Sequence, residues 1–227
     1  MVERQTIAVL GGSGKEGSGL ALRWAKAGYP VIVGSRSADK ATAAAAELNN
    51  LLGSVGIQGT DNRTAAQMAD VVVLTVPYSA QRPTALEVRE LLTGKILIDV
   101  TVPLKPPKVG VVNLPPEGSA VLALQQALGP QVRVVSAFQN VSAAHLRDLE
   151  YVVDCDVLVC ADDEVAGNVA VALAEAAGMR GWRCGPLANS VVSEGLTSVL
   201  ISINQRYKIP GSGIRITGTP KTGATAP

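Results

Sequence analysis

The sequence predicts an α/β protein built on a doubly wound parallel sheet, with a small C-terminal α/β domain behind it. Three observations carry this expectation. Short apolar runs recur at residues 7–10, 31–33, 71–76 and 95–100, as expected of strands buried on both faces. Helical stretches lie between them, at 20–27 and 41–52, and that alternation marks right-handed βαβ crossovers. A glycine-rich turn, Gly11 to Gly14, joins the first strand to the first helix.

Each element has its own signal. The helix over 20–27 stops at Gly28, and the second strand closes at Gly34. The helix over 41–52 is rich in alanine, with Asp39 near its start. Asp70 precedes the strand at 71–76, which runs into Pro77; the strand at 95–100 gives out near Val102 and Pro103. Residues 133–135 read as one more strand. Residues 106–118, rich in Pro and Gly, read as a long loop. The alternation then repeats on a smaller scale. A strand is expected at 157–160, followed by a helix opened by Asp162, Asp163 and Glu164, with Asp162 as its cap, running to residue 177. A helix over 189–206, a turn at 208–213 and a short strand at 214–216 complete the pattern. The expected division is a nucleotide-binding domain over 1–140, a small domain over 141–216 and a loose tail over 217–227.

Composition narrows the function. The chain has 227 residues, 47% hydrophobic and only 3% aromatic, so the core must be Val, Ile, Leu and Ala. Twenty Lys and Arg against 19 Asp and Glu give a net charge of +1, which offers no footprint for nucleic acid or a membrane surface. The polar start gives no signal peptide, and no apolar run approaches the roughly 18 residues of a membrane span. Cys155, Cys160 and Cys184 lack metal-site or disulfide spacing. A soluble cytoplasmic protein is expected.

Gly12-Ser13-Gly14-Lys15-Glu16-Gly17 matches G-x-G-x-x-G. Alone such a match is weak; directly after an apolar strand and at the opening of a helix it is the Rossmann dinucleotide fingerprint. Gly12 is expected to permit the tight turn, Gly14 to let the backbone approach a pyrophosphate, and Gly17 to let helix and strand pack closely. The helix N-terminus then presents unpaired N–H groups to the phosphates. An NAD site places an acid about 20 residues further on, at the end of the second strand. Here that place reads Gly34-Ser35-Arg36-Ser37, with Lys40 one turn on. A guanidinium and a hydroxyl in place of a carboxylate suit a 2′-phosphate, so the expected cofactor is NADP(H), held by Ser35, Arg36 and Lys40.

These motifs, with Val73-Leu-Thr-Val-Pro77, Val134-Val-Ser-Ala137, Gly185-Pro-Leu187 and Glu194-Gly-Leu-Thr197, resemble the NADPH-dependent reductases of the deazaflavin coenzyme F420, over residues 6 to 216. The resemblance implies reversible hydride transfer between NADPH and coenzyme F420, with the C-terminal domain closing the deazaflavin cleft. By matching positions it places Ser13, Gly14, Lys15 and Glu16 along the pyrophosphate, and Val76, Pro77 and Tyr78 beside the cofactor. Val102, Pro103 and Leu104 would flank the nicotinamide. Gln139, Asn140, Val141 and Ala143 would sit where the two rings meet, and the turn at 209–213 would touch the deazaflavin. Some members of the family have a histidine where this chain has Gln139.

Hydride transfer between two flat rings needs no nucleophile. The protein must hold them about 3–3.5 Å apart, exclude water and aim donors at developing charge. Val102, Pro103, Ala137 and Val141 suit stacking, and Asn140 or backbone N–H groups suit donation. No catalytic acid–base pair and no metal are expected. His145 reads as a surface residue, and the acids Asp154, Asp156, Asp162, Asp163 and Glu164 read as capping and surface groups. Two other functions compete: an NADP-dependent reductase of a small imine or hydroxyacid, and a non-catalytic NADP(H)-sensing module. Only about 75 to 85 residues follow the first domain, fewer than the long helical domain of such reductases needs. The helix over 189–203 either packs in a homodimer interface or belongs to the core.

Overall fold

The structure is a computed structural model and describes residues 4–218. Residues 219–227 of the expected tail lie outside the described residues. One eight-stranded sheet organises the chain, in the order β3-β2-β1-β4-β5-β6-β7-β8. Its strands are β1 (Ile7–Leu10), β2 (Val31–Ser35), β3 (Ile57–Asp61), β4 (Val71–Leu74), β5 (Ile96–Asp99), β6 (Arg133–Ser136), β7 (Asp156–Ala161) and β8 (Arg180–Arg183). The first six are parallel, with β1 between β2 and β4. The order therefore reverses at β1, which is the switch point where open α/β sheets bind ligands. β7 pairs with β6 antiparallel, and β8 returns parallel to β7. The C-terminal strand–helix–strand unit thus extends the same sheet in the opposite direction.

The helices are α1 (Lys15–Lys26), α2 (Ala38–Leu52), α3 (Asn62–Met68), α4 (Tyr78–Glu87), α5 (Ala120–Leu128), α6 (Glu164–Ala176) and α7 (Ser190–Tyr207). β1 and β4 are buried at every residue, so they carry side chains into both layers of the core. Ile7, Val9, Val33 and Val73 pack on one side with Leu20, Trp24 and Phe138. Ala8, Leu10, Ile32, Val72 and Leu74 pack on the other with Ala85, Leu97 and Leu124.

Several expectations need correction. Residues 57–61, 62–68, 78–87, 120–128 and 180–183 form elements that the apolar pattern does not mark. α1 begins at Lys15 rather than near 20. Residues 214–216 are not a strand; they meet β7 only through Asp156 N–H to Ile214 O and Ile216 N–H to the Asp156 carboxylate. α6 is capped by Asp163, which accepts from Ala166 N at 2.7 Å, while Asp162 accepts from Leu187 N. Residues 106–118 hold no regular element. Among the described residues, no helix is long and apolar enough to cross a membrane.

Candidate functional site

The phosphate turn starts where β1 stops. The chain reverses through Gly11, whose φ of +79° is disfavoured for any side chain, and where a Cβ would lie 2.6 Å from Val76. The tight-turn role therefore belongs to Gly11. Gly12 is needed for packing instead, since a Cβ there would lie 2.8 Å from the Val9 carbonyl. Gly14 is the N-cap of α1 and has no side chain to cap it. The amides of Lys15, Glu16 and Gly17 open the helix with no acceptor inside it. A Cβ on Gly17 would lie 2.3 Å from Thr75 Oγ1, so α1 rests directly on the end of β4.

Ser13 and Gly14 line a pocket of about 220 Å³ together with Ser35, Arg36, Thr75, Val76 and Pro77. β2 delivers Ser35 and Arg36 to it from the neighbouring strand end. Arg36 and Lys40 are exposed, and among the described residues neither forms an ion pair. An uncapped helix end beside Arg36, with no carboxylate at the end of β2, fits a phosphorylated dinucleotide. Glu16 is the discordant group. It is half-buried, and burial pushes its carboxyl up to about 8, so near neutral pH it adds little negative charge beside the free amides of α1.

The next strand ends converge on the same rim. Thr101 Oγ1 donates to Val76 O at 3.4 Å, and Val100 N–H to Leu74 O at 3.2 Å. This brings Thr101, which precedes Val102, Pro103 and Leu104, against Val76; Tyr78 then opens α4. Ala137 N–H and Gln139 Nε2 both donate to Asp99 O, at 3.4 and 2.7 Å. The Asp99 carboxylate accepts from Thr101 N and from Gln81. Full burial still holds its carboxyl above the ordinary carboxylate range.

Asn140 does not match the donor task expected of its side chain. Its Nδ2 donates to Asp156 O at 2.7 Å and its Oδ1 accepts from Leu158 N. The carboxamide pins β7 to the end of β6, and only backbone groups of Asn140 remain for a ligand. Val141 is buried, Ala143 opens a short 3-10 helix, Ala143–His145, and a Cβ on Gly211 would lie 2.5 Å from Ser142 Oγ. The turn at 209–213 therefore sits against residue 142. Of the expected site residues, Ser13, Gly14, Ser35, Arg36, Val76 and Pro77 line the 220 Å³ pocket; Lys15, Glu16, Gly17, Lys40, Tyr78 and those from Val102 onward do not.

Residues 145–151 have little regular structure of their own. Arg23 of α1 fixes them. The residue is 8% exposed, and its guanidinium donates to the carbonyls of Leu146, His145, Asp148 and Tyr151, and to Ala177 at the end of α6. A Cβ on Gly19 would lie 2.3 Å from Leu146, and Trp24 meets Phe138 edge to face at 5.8 Å. Sequence reasoning passes over Arg23 because a basic residue late in a helix reads as a surface group. It passes over Glu194 for a similar reason. That residue is 1% exposed on α7 and accepts from Ser119 Oγ, Ala120 N and Val121 N, tying the last helix to the start of α5. His145 stacks on Tyr151 at 4.1 Å, and Asp154 pairs with Arg215.

Known proteins share this arrangement. Residues 6–103 match the family model for coenzyme F420-dependent NADP oxidoreductases. An F420-dependent NADP reductase of Methanothermobacter thermautotrophicus is 44% identical over 223 residues, covering 95% of this chain and 96% of the relative. One from Methanocaldococcus jannaschii is 43% identical over 222 residues, covering 93% and 97%. The chain belongs to the F420-dependent NADP reductase family. A crystal structure provisionally named an F420-dependent NADP reductase, from Arthrobacter sp. FB24, superposes with a TM-score of 0.79 at 25% identity, covering 94% of this chain and all of that one.

Proposed function

We propose that the chain transfers a hydride reversibly between NADPH and the deazaflavin coenzyme F420. The observation that carries the NADP(H) half is the uncapped N-terminus of α1 beside Arg36 and Ser35, where an NAD enzyme would place an acid. The family assignment carries the deazaflavin half. Ser13, Gly14, Lys15 and Glu16 line the pyrophosphate through the turn and the helix amides, with Gly17 setting the close approach. Ser35, Arg36 and Lys40 hold the 2′-phosphate. Val76, Pro77 and Tyr78 run beside the dinucleotide, and Val102, Pro103 and Leu104 flank the nicotinamide. Ala137, Gln139, the Asn140 backbone, Val141 and Ala143 form the meeting place of the rings. Residues 141–216 close the cleft over them.

When bound, the two coenzymes supply the carbon that gives the hydride and the carbon that receives it. The chain orients them, keeps water out with small apolar side chains and presents fixed N–H groups. No side chain is asked to act as nucleophile or proton carrier. Mixing the protein with NADPH and oxidised coenzyme F420 tests this. Loss of the deazaflavin's visible absorbance, dependent on the protein, is the expected result. Tight NADPH binding without that loss overturns the deazaflavin assignment.

A further inference from the structure

We propose that Asn62 is a ligand-contact residue for the adenosine end of the dinucleotide; this rests on the NADP(H) reading above. Asn62 opens α3, but it is not that helix's cap: Asp61 is, accepting from Thr64 N at 2.9 Å. The Asn62 side chain instead folds back toward β2 and lines the pocket that contains Ser35 and Arg36. The residue is only 3% exposed, and among the described residues its Oδ1 has no hydrogen-bond partner. Gly34 makes the approach possible: a Cβ there would lie 3.0 Å from Asn62 Oδ1 and 2.8 Å from Leu10 Cδ2. The absence of a side chain at Gly34 thus leaves room for an amide whose oxygen nothing in the protein satisfies.

A buried amide kept only for structure is hydrogen-bonded, as Asn140 is at both of its ends. An unsatisfied one destabilises the fold that holds it. Its position beside Arg36 supplies a reason to keep it. A carboxamide carries both donors and an acceptor, and the adenosine end of NADPH offers phosphate and ribose oxygens as well as hydroxyl and amino hydrogens. One reorientation of the amide, as the ligand enters, satisfies both partners.

Asn62→Leu keeps the volume and removes the polarity, and separates a ligand contact from a structural one. The expected result is NADPH affinity weakened about tenfold, the equivalent of about 1.4 kcal/mol, with adenosine 2′,5′-bisphosphate weakened to the same extent. The thermal midpoint of the protein without cofactor should hold or rise. Comparison with NADH locates the bond: loss confined to NADPH assigns it to the 2′-phosphate, and equal loss assigns it to the ribose or base. Asn62→Asp, placing a negative charge beside the anionic ligand, should weaken NADPH further. NADPH affinity within twofold of wild type in the Leu variant, whatever happens to the midpoint, overturns the inference. These are binding measurements, so a wild-type protein that binds NADPH but leaves the deazaflavin unreduced overturns the reaction assignment alone.

Discussion

Two strand–helix–strand units in this molecule share a plan and differ at the helix cap. In β1–α1–β2 the helix begins at Gly14, which has no side chain to offer its amides. In β7–α6–β8 it begins at Asp163, whose carboxylate accepts from Ala166 N, with Glu164 as a second acid in the first turn. Both helices open with amides that lack acceptors inside the helix. The second unit satisfies one of them, Ala166 N–H, from its own chain, and the first leaves all of its own open to an anion. Phosphate binding here is therefore a property of the cap rather than of the βαβ plan.

The most direct way to break that comparison is to copy the second cap onto the first. Gly14 has φ −73° and ψ 165°, a conformation open to any residue, so Gly14→Asp is expected to fold. Its carboxylate should take the free amides and repel the pyrophosphate. NADPH affinity should fall about 100-fold, about 2.8 kcal/mol, as read by titration of NADPH fluorescence. Affinity near wild type would erase the distinction between the two helix ends.

Glu16 sharpens the comparison, because it is an acid in the first turn of α1, the helix proposed to bind the dinucleotide. With its carboxyl at about 8, it is mostly neutral at pH 7 and mostly ionised at pH 9. The native state holds this proton more tightly than the unfolded chain. The group's contribution to stability is therefore full below its ordinary value of 4.5 and is lost as pH rises through about 8. NADPH affinity should weaken about fivefold between pH 7 and 9, near the 1 kcal/mol expected of two charges about 4 Å apart in water. Glu16→Gln should flatten that dependence, and an unchanged slope would place Glu16 away from the phosphates. The smallest effect is expected in the other unit. Asp163→Ala should cost about 1 kcal/mol in urea unfolding and leave NADPH affinity as it was. A loss of affinity there would show that the C-terminal cap also serves the ligand.

The readable parts of the fold are those whose side chains meet only the core. β1, β2, β4 and β5 announce themselves because both faces are apolar. β3 and β8 lie at the two edges of the sheet; with Gln58, Thr60, Arg180 and Arg183 they carry the polarity of edges, and no apolar pattern marks them. α4 is hidden by Pro83 inside it. The G-x-G-x-x-G spacing locates the phosphate turn but misplaces its left-handed residue by one, since Gly11 and Gly12 are indistinguishable until Val76 and Val9 are seen around them. Asn62, Arg23 and Glu194 are opaque for a shared reason. The partners that give each its meaning lie on elements far away in sequence, and a polar residue on a helix otherwise reads as solvated.

Arg23 and Gly14 stand on one rigid rod, nine residues apart. The end proposed to face the dinucleotide and the flank that fixes residues 145–151, part of the unit proposed to close over the second coenzyme, cannot shift independently. Whatever affinity the first guest lends the second by steadying that rod, the second must return in equal measure, because equilibrium coupling between two sites is reciprocal.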